Sequence, residues 1–431
     1  MSPRWEERHL GLATAAGLVV GNMLGSGVFT TSGFALADLG DPRLVLLAWA
    51  VGGGIALCGA LSYAGLAVRV PRSGGEYTLL SEALHPMAGF VAGWISLLAG
   101  FTAPIALAAL VFATYLESGL GIALPERWVA TLLIASFAVL HGLRLREGVG
   151  IQNAVIVLKL AALLLFCAFG AVSTGAWPKV SPTSAAALST FSVGTFATSL
   201  VWISFSFSGW NGAVYLAGEI RDPARNLPRA LWIPTLGITF LYLALNAVFL
   251  SSGPADTLAG RPDVASVAAE HLGGAALRQA LSFVICLALV TSVSAMVMSG
   301  PRVYAQMAKD GWLPAAFTRG GDAPTAAVML QGALAIVVVW IAELAQLLSY
   351  LGFTLSLSAA LTVVAAMRVR MREGADAVPI PAYPIPPLLF IVFTLGSAGF
   401  MISREPGPAL IGLLTLLSGL LLYRMARRPG T

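Results

Sequence analysis

The chain has 431 residues, 58% of them hydrophobic and only 10% charged, with a formal net charge of +5. A mean hydropathy of +0.85 excludes an ordinary soluble domain and puts the chain in a bilayer. Its basic residues cluster in short connectors with no aromatic-interleaved or RNA-binding motif, so the excess charge does not point to nucleic acid.

Apolar stretches long enough to cross roughly 30 Å of hydrocarbon recur from Leu10 to Met425, which argues an all-α polytopic membrane protein and not a barrel of short alternating strands. Twelve transmembrane helices are predicted, over about 10–35, 43–69, 83–117, 127–145, 149–172, 190–218, 229–252, 275–308, 324–343, 346–370, 384–403 and 408–426. No small-residue cleavage site follows the first, so it reads as a retained helix and not a removable signal. With both termini cytoplasmic, 18 of the 25 Lys and Arg residues fall inside and 6 outside, as the positive-inside rule asks; Lys159 is left within a span.

Cys58, Cys167 and Cys286 lie in separate spans without C-x-x-C spacing, which reads as apolar packing. His9, His85, His141 and His271 are scattered near span ends, and neither a metal nor a cofactor is expected. Neither H-E-x-x-H nor G-x-S-x-G occurs, so nothing points to an enzyme. A channel would need a repeated filter or a charged ring, and none is visible.

The first span contains Gly-Asn-Met-Leu-Gly-Ser-Gly-Val-Phe, residues 21–29, which is poor material for a helix. Gly21 and Gly25 form a GxxxG pair that could serve helix packing. The sixth span, however, is interrupted in the corresponding place by Phe-Ser-Phe-Ser-Gly-Trp-Asn-Gly, residues 205–212. Unwound backbone survives at membrane depth only where it lines a cavity or meets a ligand. Paired interruptions point to an inverted-repeat transporter with its substrate between two broken helices. Freed N–H groups suit an anionic group and freed carbonyls a cationic one, so a zwitterionic amino acid fits both. The expected organisation is one transporter domain over residues 1–431, with repeats at 10–172 and 190–370 and two further helices over 384–426.

Lys159 in the fifth span lies nine residues from Gly150, a depth of about 13 Å. A lysine there costs about 2.5 to 3.5 kcal/mol on insertion scales, which makes a functional role the default reading. Snorkelling along its stem is the alternative. No Asp or Glu is placed comparably deep within these spans, so carbonyl or hydroxyl partners are expected for Lys159 and a neutral substrate is favoured.

Gly25-Ser26-Gly27-Val28-Phe29 resembles the signature in the first helix of the amino acid-polyamine-organocation (APC) superfamily. Pro71 to Tyr77, Phe205 to Asn211 and Glu219 to Ala230 resemble its further motifs in order, closest to the L-type, sodium-independent amino acid transporter branch. The resemblance implies a LeuT-like fold: a 5+5 inverted repeat plus two C-terminal helices, with helices 1 and 6 broken. It places the substrate carboxylate on the first break, Gly25 to Gly27, with the N–H groups of Ser26 and Gly27 and the Ser26 hydroxyl. The α-ammonium falls to carbonyls of Met23, Phe205 and Ser208. Ser206 and Gly209 shape the side-chain pocket, and Phe205 resembles an aromatic gate, with core packing as the plainer alternative.

In sodium-independent relatives a lysine at the place of Lys159 puts its ammonium where sodium-coupled members hold an ion. By resemblance its partners are the carbonyls near Gly21 and Leu24 and the Ser292 hydroxyl. Whether Lys159 is a permanent cation or releases a proton in each cycle stays open. The implied function is sodium-independent secondary transport of neutral L-amino acids by alternating access, as exchange; proton-coupled symport with Lys159 titrating, and a non-transporting amino acid sensor, are the alternatives. A multi-pass location in the plasma (inner) membrane is expected, with the loop from Glu219 to Ala230 as an intracellular gate. In eukaryotic heteromeric members of the family the chain resembles, a cysteine between spans 3 and 4 links an accessory glycoprotein; Glu117 to Trp128 holds none, so no covalently linked accessory subunit is expected.

Overall fold

The computed structural model of the chain describes residues 10–143, 149–173, 192–318 and 325–426. His9 and several residues used in the charge tally, Arg4, Arg8, Arg144, Arg146, Lys179, Arg319, Arg427 and Arg428, lie outside the described residues, as do the connectors near 145 and 190.

The first span divides in two: α1 (Leu12–Met23) and α2 (Gly27–Leu39). Next comes α3 (Pro42–Arg69), started by Asp41, whose carboxylate accepts the Arg43 N–H at 2.8 Å, and by Pro42, which has no N–H to lose. A helix outside the predicted spans, α4 (Gly75–Ala83), precedes α5 (Pro86–Ile95). A π-helical segment, Ser96–Thr102, joins α5 to α6 (Ala103–Leu120). That widened turn runs up to Pro104, whose ring cannot donate to a carbonyl four residues back. Then follow α7 (Glu126–Gly142) and α8 (Val149–Ser173).

The second half opens with α9 (Val193–Ser206), capped by Ser192, and continues after a break as a 3-10 helix, Gly212–Glu219. The remainder comprises α10 (Pro223–Ser251), the short α11 (Ala255–Leu258), α12 (Val264–Lys309), α13 (Thr325–Ile341), α14 (Leu344–Glu373), α15 (Ile385–Arg404) and α16 (Pro406–Ala426). The eighth predicted span is the second part of α12, whose backbone leaves the helical region at Gly273 and Gly274. Among the described residues nine stretches are long and apolar enough to cross a bilayer, beside the shorter apolar helices Val193–Ser206 and Thr325–Ile341.

Helix α3 packs along α10, α6 along α12, α1 against α10, and α7 against α13. Behind the two interruptions Trp49, Phe207 and Tyr242 form a buried aromatic knot with ring centroids 5.1 to 5.7 Å apart. Outward-facing Leu132, Leu165, Val172, Ile341, Val392 and Leu421 are exposed, as side chains facing lipid must be.

Candidate functional site

Helix α1 ends because Leu24 turns out of helical geometry (φ −74°, ψ 60°), and the Gly25 N–H reaches back only to Met23, at 2.7 Å. Helix α2 begins at Gly27, so the unwound stretch is Leu24 to Ser26, narrower than the suspect sequence. In the first turn of α2 the Phe29 N–H reaches the Ser26 carbonyl at 3.2 Å, whereas the N–H groups of Gly27 and Val28 have no helical carbonyl behind them. The Ser26 hydroxyl makes no capping bond. Helix α9 likewise stops at Ser206 and the chain turns through Phe207 to Asn211, with Gly209 at φ +99°, a conformation that glycine adopts without strain.

These breaks touch. A Cβ on Gly27 would lie 2.5 Å from the Ser206 Cα, so only glycine lets α2 start against the end of α9. The Tyr242 hydroxyl lies 2.5 Å from the Met23 carbonyl oxygen and 3.2 Å from that of Ser206, tying together the loose ends of α1 and α9. The Met23 carbonyl, expected from resemblance to receive an ammonium, here accepts the Tyr242 hydroxyl and the Gly25 N–H. Asn22 packs against Gly209 and Gly212 from the other side.

Lys159, only 3% exposed, donates from α8 to the carbonyls of Leu24 at 3.2 Å and Gly21 at 3.4 Å. Its ammonium thus sits at the negative end of α1. Ser292 lines the same cavity, but its hydroxyl donates within its own helix, to Ala288 at 2.9 Å.

Above the breaks the protein is sealed. The hydroxyls of Thr31 and Ser206 bond at 2.8 Å, the Tyr115 hydroxyl donates to Phe29 at 2.7 Å, and the Gly260 N–H donates to Gly33 at 2.7 Å. Below them a cavity of about 920 Å³ opens. Gly21, Met23, Gly25, Ser26, Gly27, Phe205, Ser206, Ser208, Gly209 and Lys159 all line it. It runs to Leu10, Thr14, Ser73, Glu219 and Lys309. That end gathers the Leu10–Glu219 backbone bond, the Arg69–Glu373 ion pair, the Gly74–Tyr215 bond and the His85–Tyr423 contact, so it is the face to which both ends of the described chain return. Access is one-sided.

Sequence reasoning passed over Glu76. It sits 7% exposed on α4, at the cavity wall. Its carboxylate accepts the Tyr63 hydroxyl at 2.6 Å, the Asn211 amide at 3.2 Å and the Ser358 hydroxyl. Burial pushes its carboxyl above the ordinary range, while these three donors pull the other way. Glu76 and Asn211 both fall within motifs of the family resemblance, but motif position does not say that one binds the other. Nothing in the local sequence of α10 marks Tyr242 as the residue that would bridge the two breaks.

A family model described as amino acid permease matches residues 10–410. The chain belongs to that family. This permease is therefore an integral membrane transport protein of the APC superfamily and not an enzyme. It is similar to "Asc-type amino acid transporter 1" of Mus musculus, 28% identical over 430 residues covering 97% of this chain and 81% of the relative. It is 27% identical over 437 residues to "Large neutral amino acids transporter small subunit 2" of Homo sapiens, covering 97% and 80%. It is also 27% identical over 434 residues to "Serine/threonine exchanger SteT" of Bacillus subtilis (strain 168), covering 97% and 96%. These relatives agree with the L-type character read from the motifs.

Proposed function

We propose that this permease is a sodium-independent exchanger of neutral L-amino acids that works by alternating access. The single observation carrying this reading is the pair of abutting breaks, Leu24 to Ser26 and Phe207 to Asn211, at the closed end of a cavity open to one face. The substrate carboxylate docks on the N–H groups of Ser26 and Gly27, with the Ser26 hydroxyl and the open space at Gly25 beside them. The ammonium goes to the carbonyls of Phe205 and Ser208; to reach that of Met23 it displaces the Tyr242 hydroxyl. Ser206, Gly209 and Phe205 wall the side chain.

Lys159 supports sodium independence, because an ammonium already fills the carbonyl pair of Gly21 and Leu24 that a cation would need. Glu76 supports a neutral substrate: both its oxygens are engaged by protein donors and are not offered to a cationic side chain. The names of the three relatives, a large-neutral-amino-acid transporter and a serine/threonine exchanger among them, agree with this class.

The excess of basic residues at the face to which the chain ends return makes that face cytoplasmic, and the state is inward-open. The organisation follows as twelve crossings, with repeats over 10–172 and 190–370 and two added helices over 384–426. The chain works in the plasma membrane without a covalently linked accessory subunit. The deciding experiment is radiolabelled neutral amino acid uptake into proteoliposomes. Uptake should accelerate with internal unlabelled amino acid and be indifferent to sodium; dependence on a pH gradient alone would instead favour a proton-coupled symporter with Lys159 titrating, and substrate binding without uptake would favour a sensor.

A further inference from the structure

One face of α12 lines the cavity along its whole depth. Ser292, Ser299, Arg302, Gln306 and Lys309 all border it, at spacings of seven, three, four and three residues, which is one helical stripe. Lys309 is exposed at the mouth, and Ser292 lies seventeen residues further back along the helix. At about 1.5 Å per residue, Arg302 stands roughly 15 Å below Ser292. On that spacing Arg302 stands between Ser292 and the mouth.

Arg302 has no assigned task. Its Nε is buried without a hydrogen-bond partner, and among the described residues its guanidinium makes no ion pair. The acids bordering the cavity are Glu76 and Glu219. Glu76 is committed to Tyr63, Asn211 and Ser358, and at the mouth Asp310 is taken by Tyr77 and Gln306. Arg302 is half-buried, and a guanidinium whose Nε is buried without a partner and which has no anion beside it is costly; its planar fork matches a carboxylate.

We propose that Arg302, helped by Lys309 at the mouth, forms a second, vestibular binding site for the substrate α-carboxylate, occupied on the way between the breaks and the cytoplasm. The site takes carboxylates whether or not they carry an ammonium, because the stripe offers cations and amides but no acid at Arg302 to receive one. This deepens the transport reading above and rests on it. A consequence is asymmetry: affinity at the cytoplasmic face depends on Arg302, whereas affinity at the outer face, where the passage is shut, does not.

The test uses full-length protein in right-side-out and inside-out vesicles, measuring the half-saturating concentration of neutral amino acid from each face for the native chain, R302Q and R302K. R302Q should raise the cytoplasmic value about tenfold and leave the outer value within about twofold, while R302K stays within about threefold on both faces. A branched carboxylate lacking the amino group should inhibit the native chain from the cytoplasmic face and lose that effect in R302Q. Equal changes on both faces, or no change on either, would overturn the vestibular site. If R302Q does not fold, the outcome rests on R302K and on inhibition of the native chain by the deaminated carboxylate, whose absence overturns it. Absence of amino acid exchange by the native chain would sink the transport reading itself, a result separable from these.

Discussion

Lys159 Nζ lies 3.2 Å from the carbonyl oxygen of Leu24, so α8, more than a hundred residues further along the chain, supplies the cation for the turn at which α1 comes undone. Removing that ammonium leaves the carbonyls of Gly21 and Leu24 without a donor in a region with little water, a loss of about 1 to 3 kcal/mol. Lys159→Met should therefore lower thermal stability and cut uptake by at least about tenfold. Native uptake should be equal in sodium and choline media. Full activity in the variant, or a sodium requirement in the native protein, would contradict the role given to Lys159.

Two glycines two residues apart should behave in opposite ways. At Gly27 an added methyl meets the backbone of Ser206, so Gly27→Ala must push the breaks apart, at a cost of about 1 to 3 kcal/mol, and should abolish substrate binding. At Gly25 the nearest atoms to an added Cβ are 3.9 Å away, within its own turn, and the rest is cavity. Gly25→Val should leave the melting temperature close to native and selectively raise the half-saturating concentration of large neutral amino acids over small ones. Calorimetry and competition uptake would decide; equal behaviour of the two variants would argue that the breaks do not form the pocket.

The membrane character, the two interruptions and the burial of Lys159 were legible because each violates a strong rule: a glycine-rich stretch inside an apolar span, met twice, and a lone cation in an apolar helix. What was not legible is long-range pairing. Tyr242 meets Met23 from more than two hundred positions away, and Glu76 gathers donors from α3, the second break and α14. Glu76 escaped the reading because it stands on α4, outside every predicted span, and is brought to the cavity wall by tertiary folding. The Ser292 hydroxyl, assigned to Lys159 by resemblance, is satisfied one turn back on its own helix, a local competition that hydroxyls in helices often win.

Glu76 makes transport sensitive to pH on the cavity side. Because burial sets its carboxyl above the ordinary glutamate range, acidification protonates Glu76 before it protonates exposed carboxylates. The Tyr63, Asn211 and Ser358 donors then lose a charged acceptor, and the grip on the second break weakens. Exchange should slow as the internal pH falls through that range and recover when it is raised. Glu76→Gln, neutral at every pH, should be slow throughout with no pH step. A native step that survives in this variant would assign the titration elsewhere.

Closure of the far side depends on Gly33 in α2. Its N–H and carbonyl edge meets the turn after α11: Gly33 accepts the Gly260 N–H at 2.7 Å, and a Cβ there would run into the backbone of Arg261. Backbone cannot give way as a flexible side chain would, so Gly33→Ala should penalise the sealed state by about 1 to 3 kcal/mol while the opened state, in which these segments separate, escapes the clash. The population should move toward the state open on the face opposite the chain ends, by a factor of about five or more. Ala35, fully buried on the same helix, is the reporter. An Ala35→Cys variant should react with a membrane-impermeant maleimide several times faster when Gly33→Ala is added, and amino acid binding from the cytoplasmic face should weaken in parallel. Labelling at an unchanged rate would mean that α2 does not move away from the Arg261 turn, and that the door on this side lies elsewhere.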